Sequence, residues 1–469
     1  MKYLYRDDIA LRSWRWVPHA VYLKNQTMAK PIKGEVFDLL RLCDGKHDVP
    51  DSDLLRQQLE AGVIHPAAEG ETLTPWQEYM HCDNRYFPMM QLTLTGKCNF
   101  NCLHCFNAAD NAPLMSEWTW DELVPLLDDC RKTGINGFFI TGGEPMLHPR
   151  FMDAMRAIYD RGMFVITINT NGVFLTQEKL DEMRSFGCVP LMKISFDGKG
   201  WHDWLRNRKG AEQKALDSIK LCVDNGFPVC VHANIHRKNV DGIGETMHML
   251  ADMGVTSLRV LRTTESPRWK QNAPDATLTM DEYYEAAVKL AADYAHTEGM
   301  QMDLQIWQYI FMYAKDRSYR LSAVHCTDGE YNERTPVCRR NREMLAVSAD
   351  GNVYPCSHMS GTLDALGIYM GNVKKDGLQR VMQSGPLLEN VCTGVGKIAE
   401  SNDQCGNCKY FKYCTGGCRC IAVALTKDLM GPDPSKCAFF KHGYYQKTVK
   451  ALEGWKNLAP VSILEQDLA

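Results

Sequence analysis

Met90-Gln91-Leu92-Thr93-Leu94-Thr95-Gly96-Lys97-Cys98-Asn99-Phe100-Asn101-Cys102-Leu103-His104-Cys105-Phe106 decides the reading of this chain. A β-prone run, Met90–Thr95, leads directly into three cysteines spaced CxxxCxxC. Three thiolates from one short loop suit a [4Fe–4S] cube with one iron left open, whereas an electron-transfer cube normally takes four. The next cysteine, Cys130, is a whole helix away. Two plainer readings compete. Structural zinc usually closes with four ligands, commonly as paired CxxC units. Disulfides need an oxidising compartment, but Met1 to Trp14 carries Arg6, Asp7, Asp8 and Arg12 without an apolar signal core, so a reducing, cytoplasmic setting is expected.

Around this loop a strand–helix unit repeats six times. The strands read are Met90–Thr95, Gly137–Thr141, Phe164–Thr170, Pro190–Phe196, Pro228–Ile235 and Ser257–Arg262. Thr119 with Glu122 and Thr279 with Glu282 have capping-box spacing, and glycines 134, 162, 187, 226 and 254 follow helical runs where a left-handed cap is needed. Alternation of this kind implies a parallel sheet with right-handed crossovers. Six units are too few for a closed eight-fold barrel, so the expected fold class is α/β, an open partial (β/α)6 barrel. Ligands in such folds sit at the carboxyl ends of the strands. Each strand is followed there by polar or glycine-bearing residues: the cysteine loop, Thr141-Gly142-Gly143-Glu144-Pro145, Asn171-Gly172, Ser195-Phe196-Asp197-Gly198 with His202, Asp203 and Arg206, then Asn234 and His236, and Arg262-Thr263-Thr264-Glu265. Any one of these reads as a turn; together on one rim they read as a site.

With those residues in place the chain resembles the radical S-adenosylmethionine (SAM) superfamily. Cys98, Cys102 and Cys105 match its cysteine signature, Phe106 the aromatic residue that follows it, and Gly142-Gly143-Glu144 its GGE motif. The resemblance implies that the open iron is chelated by SAM and that Glu144 meets the methionine amino group. It also implies that Ser195 and Arg206 contact the SAM ribose or carboxylate, with Asn234 as a further contact. The chemistry would then be the cofactor's: reductive cleavage to a 5′-deoxyadenosyl radical that abstracts hydrogen from substrate.

Ten of the nineteen cysteines lie between Cys326 and Cys437. Cys338 is followed by twelve residues and Gly351-Asn352-Val353-Tyr354-Pro355-Cys356; then come Cys405-x2-Cys408-x5-Cys414-x3-Cys418 and Cys437. A zinc ribbon on Cys405, Cys408, Cys414 and Cys418 leaves Cys338, Cys356 and Cys437 unexplained. The full pattern resembles the SPASM extension of radical SAM enzymes. It implies two auxiliary [4Fe–4S] clusters, making three in all: one on Cys338, Cys356 and Cys418 with Cys326 as candidate fourth ligand, the other on Cys405, Cys408, Cys414 and Cys437. Cys392 and Cys420, like Cys43, Cys82, Cys130, Cys188, Cys222 and Cys230, read as buried structural thiols.

Residues 1–75 read as a winged-helix-like module. Trp14–Val17 and Ala20–Leu23 form a hairpin split by Pro18-His19; helices follow over Glu35–Cys43 and Asp51–Ala61, the second capped by Asp51. Ten Lys/Arg against nine Asp/Glu in residues 1–60, and a net charge of −4 overall, are poor for nucleic acid. The module instead resembles the peptide-recognition element of enzymes that modify ribosomally made peptides, where a leader adds a strand to a sheet edge. The expected organisation is 1–75 recognition element, 76–88 linker, 89–310 barrel, 311–445 SPASM domain and 446–469 tail. The expected activity is oxidative cross-linking (C–S or C–C), or another dehydrogenation, of a precursor peptide, supplied by a flavodoxin- or ferredoxin-type electron donor, with no nucleic-acid or membrane partner. The alternatives are a sulfatase-activating enzyme that forms formylglycine and, from another class, a zinc-ribbon transcription factor.

Overall fold

The structure, a computed structural model, describes residues 1–469 except 16, 25, 106–114, 264–265, 339–342 and 462–469. Its first unit contains β1 (Tyr3–Tyr5), β2 (Ile9–Trp14), β3 (Val17–Leu23), β4 (Lys30–Pro31), α1 (Gly34–Leu42), α2 (Asp53–Glu60), β5 (Ile64–Pro66) and β6 (Met80–Cys82). One sheet runs β4-β3-β2-β6, and β1 pairs with β5. The hairpin turns earlier than Pro18-His19: Trp14 pairs with Val17 and Arg12 with Ala20. Pro18 therefore lies near the start of β3, where a missing N–H is tolerated. Ser52 rather than Asp51 caps α2, its hydroxyl accepting from the Leu55 amide at 3.1 Å. The stretch expected as a linker contributes β6, which pairs in parallel with β2. This unit is fastened to the barrel by aromatic residues: Trp14 donates to the Thr133 carbonyl (3.4 Å) and Tyr22 to the Gly134 carbonyl (3.0 Å).

The barrel follows as β7 (Met89–Thr93), α3 (Trp120–Thr133), β8 (Gly137–Thr141), α4 (Phe151–Asp160), β9 (Phe164–Thr170), α5 (Gln177–Ser185), β10 (Leu191–Ser195), α6 (His202–Arg206), α7 (Ala211–Asp224), β11 (Val229–Ile235), α8 (Ile243–Asp252), β12 (Ser257–Arg262), α9 (Pro267–Asn272) and α10 (Met280–His296). From β7 to β12 the strands are parallel and in sequence order. Both expected capping boxes form, and all five expected glycines have positive φ.

Side-chain alternation gives the sheet two unlike faces. Leu92, Ile140, Ile168, Ile194, Val231 and Val260 are fully buried in one core with helix residues such as Leu127, Ile158 and Ile219. The opposite, concave face carries Gln91, Thr141, Asn169, Lys193, His232 and Arg259, all half-buried.

Six more strands lengthen the sheet to twelve. β13 (Asp303–Ile306), β14 (Ile310–Tyr313) and β15 (Ser318–Leu321) continue from β12; β16 (Met344–Val347) and β17 (Val353–Tyr354) add to β7; β18 (Lys456–Asn457), from the expected tail, pairs with β15. The boundary expected at 310 thus falls inside the β13–β14 hairpin. Among the described residues no helix is long and apolar enough to cross a membrane.

Candidate active site at the strand ends

The cysteine loop leaves β7 at the rim and is pinned from three neighbouring connections. Gly143 and Glu144 amides donate to the Thr95 and Lys97 carbonyls (2.8 and 2.9 Å), Asn171 Nδ2 to Asn99 Oδ1 (2.7 Å), and the Leu103 amide to the Leu205 carbonyl (2.9 Å). Cys98 is exposed, Cys102 buried and Cys105 half-buried. The close approach that Gly142 and Gly143 permit is to this loop: a Cβ on Gly142 would stand 2.6 Å from the Thr95 carbonyl, and one on Gly143 would overlap the Lys97 and Gly96 carbonyls. The GGE turn therefore shapes the cysteine loop. Phe106, Thr264 and Glu265 lie outside the described residues.

Glu144 is fully buried. Its carboxylate accepts from Thr170 Oγ1 and the Asn171 amide, each at 2.8 Å, and from the Met146 amide at 3.3 Å. Burial nevertheless pushes its pKa up to about 7, against the lowering effect of those bonds. A carboxyl held this way gains from a cation at its side.

Asp197 is the hub that sequence reasoning listed without a role. Arg206 forks onto it (Nε to Oδ2 2.7 Å, Nη2 to Oδ1 3.1 Å), His202 Nδ1 lies 2.9 Å from Oδ2, and the Asn234 amide donates to Oδ1 at 2.8 Å. Burial alone would raise this carboxyl; the Arg206 guanidinium and the His202 bond outweigh it and hold it well below the usual range. Arg206 is therefore tied to Asp197, and it also opposes the rise that burial imposes on the Cys102 thiol. Ser195 ends β10 half-buried, opposite His232. The spacing puts His202 and Arg206 on one short helix, α6, just after Asp197, but nothing in the sequence turns that helix back over the carboxylate.

The later cysteines separate into two groups. Cys405, Cys408, Cys414 and Cys437 line one recess. Cys356 is instead pushed up to about 12 by burial, with the neighbouring Cys418 and Cys338 thiols adding to the rise. Cys418 thus stands apart from the ribbon that would have used it. Cys420, expected as an inert thiol, is set against Cys418 and donates to the His358 carbonyl at 3.3 Å. Cys326 is buried, its amide donating to Tyr413. Cys392 is exposed, contrary to expectation, because it caps a surface helix; Cys43, Cys82, Cys130, Cys188, Cys222 and Cys230 are buried as expected.

No three His, Cys, Asp or Glu side chains among the described residues converge as ligands of one ion do. A cubane spreads its thiolates over separate irons, and the donor sets fit that: three thiols at the rim, three at Cys338, Cys356 and Cys418, and four around the recess. Burial keeps many of these thiols protonated on their own, Cys98 rising to about 11 and Cys414 to about 12, so thiolate there calls for a bound metal.

Residues 92–250 match the radical SAM superfamily, and residues 338–409 match SPASM, an iron–sulfur cluster-binding domain. An AdoMet-dependent heme synthase of Methanosarcina barkeri is 26% identical over 73% of this chain and 93% of its own. A PqqA peptide cyclase of Bradyrhizobium diazoefficiens is 26% identical over 74% of this chain and 85% of its own. Among solved structures, Streptococcus suis SuiB bound to its precursor peptide SuiA covers 93% of this chain and 99% of its own at a TM-score of 0.63 and 14% identity. The structure of anSMEcpe with bound AdoMet and a peptide covers 77% of this chain and 98% of its own at a TM-score of 0.58 and 15% identity.

Proposed function

Because the chain is a radical SAM enzyme with a SPASM iron–sulfur domain, we propose that it matures a ribosomally made precursor peptide by oxidative cross-linking or another dehydrogenation. The observation that carries this reading is the N-terminal unit. SuiB, a protein seen with a precursor peptide bound, covers 93% of this chain, so the likeness extends beyond the barrel and SPASM matches into part of the N-terminal unit. The N-terminal sheet ends in β4, a two-residue exposed edge strand, the kind of edge to which a leader strand adds.

In this reading Cys98, Cys102 and Cys105 hold the SAM-binding cluster. Cys338, Cys356 and Cys418, with Cys326 as a candidate, hold one auxiliary cluster; Cys405, Cys408, Cys414 and Cys437 hold the other. A SAM-bound cluster supplies reductive sulfonium cleavage and a 5′-deoxyadenosyl radical, fed by a flavodoxin- or ferredoxin-type donor. The chain's own work is positional. Glu144 presents a buried carboxyl to the methionine ammonium. Asp197 fixes Arg206 and the Asn234 backbone at the rim, and Ser195 faces the ribose side. The concave face orients the substrate C–H and keeps water out.

The test is turnover of a candidate precursor with and without its leader segment. Dehydrogenated product from the full precursor, and little from the leaderless core, is expected; equal turnover of both sinks leader docking. A product that captures a hydrazide, as an aldehyde does, would favour the formylglycine reading instead.

A further inference from the structure

Only Thr415, Gly416 and Gly417 separate Cys414, which lines the recess, from Cys418, set with Cys356 and Cys338. All three residues have positive φ (48°, 78° and 76°), so one tight turn joins the two later groups of cysteines. Charged side chains pack directly on that turn. A Cβ on Gly416 would stand 3.0 Å from the Arg419 guanidinium, and one on Gly417 would overlap Asp433 and the stem of Lys436. Arg419 and Lys436 are buried, at 3% and 1% exposed, and so is Asp433. Arg419 Nη1 donates to the Leu429 and Gly431 carbonyls (3.0 and 2.8 Å) and Nη2 to the Gly416 carbonyl, while Lys436 Nζ donates to the Gln308 carbonyl. Arg419 Nε has no hydrogen-bond partner among the described residues. Asp433 accepts from the Cys418 amide at 2.8 Å and from the Ser435 amide and hydroxyl at 2.9 and 2.6 Å. Two cations and one carboxylate are thus held out of water, where an uncompensated charge is costly. Their electrostatic neighbours come from both cysteine groups. After burial and Asp433, the thiols that act on Arg419 are Cys418, Cys405 and Cys414, and those that act on Lys436 are Cys418 and Cys414.

We propose that Arg419 and Lys436 serve as one shared positive charge between the two later cysteine groups, raising the reduction potential of the cluster that each group holds. The inference rests on the two-auxiliary-cluster part of the reading above and adds the residues that tune those clusters. Reduction adds one negative charge to a cluster, so a fixed cation nearby stabilises the reduced form more than the oxidised one. Net charge and hydrogen bonds near the sulfurs are what set such potentials, and the effect grows where water is excluded. Asp433 opposes the two cations and trims their effect. The competing role is purely structural, with Arg419 tying the 429–431 loop to the turn and Lys436 tying its helix to Gln308. That role gives no reason for potentials to follow the sign of the charge removed.

The sign is the test. Full-length protein carrying Cys98→Ala, Cys102→Ala and Cys105→Ala, loaded anaerobically with iron and sulfide, leaves the later cysteines to be read alone by a redox titration followed by electron paramagnetic resonance. Lys436→Met in this background is expected to lower both midpoints by about 59 mV or more, a tenfold change in a one-electron equilibrium. Lys436→Arg, which keeps the charge, is expected to leave both near the parent values, and Asp433→Asn to raise both. Unmoved midpoints in Lys436→Met, a shift of only one of them, or a fall in Asp433→Asn as well overturns the proposal. If Lys436→Met fails to hold its iron, the direction of the shift in Asp433→Asn decides alone. A parent protein with well under about eight irons per chain sinks the two-cluster reading and this inference with it. Eight irons with midpoints indifferent to charge sink this inference only.

Discussion

Glu144 shows how one residue at the rim couples binding to protons. Its folded pKa of about 7 lies above the ordinary 4.5, so the native state holds the proton more tightly than the unfolded chain. Its contribution to stability is therefore present below about pH 4.5 and is lost as the pH rises through about 7. An ammonium placed beside it favours the carboxylate, so SAM binding near neutral pH should release a proton. Calorimetric titration in buffers of different ionisation enthalpy checks this, and Glu144→Gln should abolish the buffer dependence while weakening SAM roughly tenfold to a hundredfold. Asp197 makes the converse case. Asp197→Asn leaves the Arg206 guanidinium buried without its counter-charge, a change worth about 3–5 kcal/mol of stability. A denaturant midpoint equal to wild type would show that the hub is not holding the rim together. Glu144 was legible in the sequence because its tripeptide is a motif. The role of Asp197 was not, because it appears only when α6 folds back over the end of β10.

At the scale of elements, the GGE turn and the cysteine loop behave as one piece. Two backbone hydrogen bonds join them, and no side chain fits at residue 143. Gly143→Ala should displace the Cys98–Cys105 loop at a cost of about 1–3 kcal/mol. It should lower SAM cleavage while leaving the iron of the later cysteines in place; unchanged cleavage would mean the loop holds its shape without the turn. The same scale explains what sequence reading reached. Gly137–Thr141, Phe164–Thr170 and Ser257–Arg262 were read to the residue, since each is a β-prone run bounded by a cap or a glycine. The runs at Ile310–Tyr313, Met344–Val347 and Lys456–Asn457 are too short for periodicity to register, and their pairing partners are distant in sequence.

Across the whole molecule those short strands set the spacing of the proposed cofactor sites. β16 and β17 extend the sheet from β7, the strand that delivers the Cys98 loop, and Cys356 follows β17 directly. Ser357, the next residue, donates to Gln91 of β7 at 3.0 Å. The rim and Cys356 are thus held at a fixed separation by hydrogen-bonded backbone rather than by a linker. The Cys98–Cys105 loop itself lies beyond the end of the ladder and supports none of these pairings. Replacing Cys98, Cys102 and Cys105 together with Ala should therefore remove SAM cleavage without disturbing the later cysteines. On the proposed three-cluster reading, iron analysis should fall from about twelve to about eight atoms per chain. The residual clusters should keep their electron paramagnetic resonance signals. A fall to near zero would mean that the auxiliary groups depend on the rim for assembly, and retained 5′-deoxyadenosine formation would place the radical chemistry elsewhere in the chain.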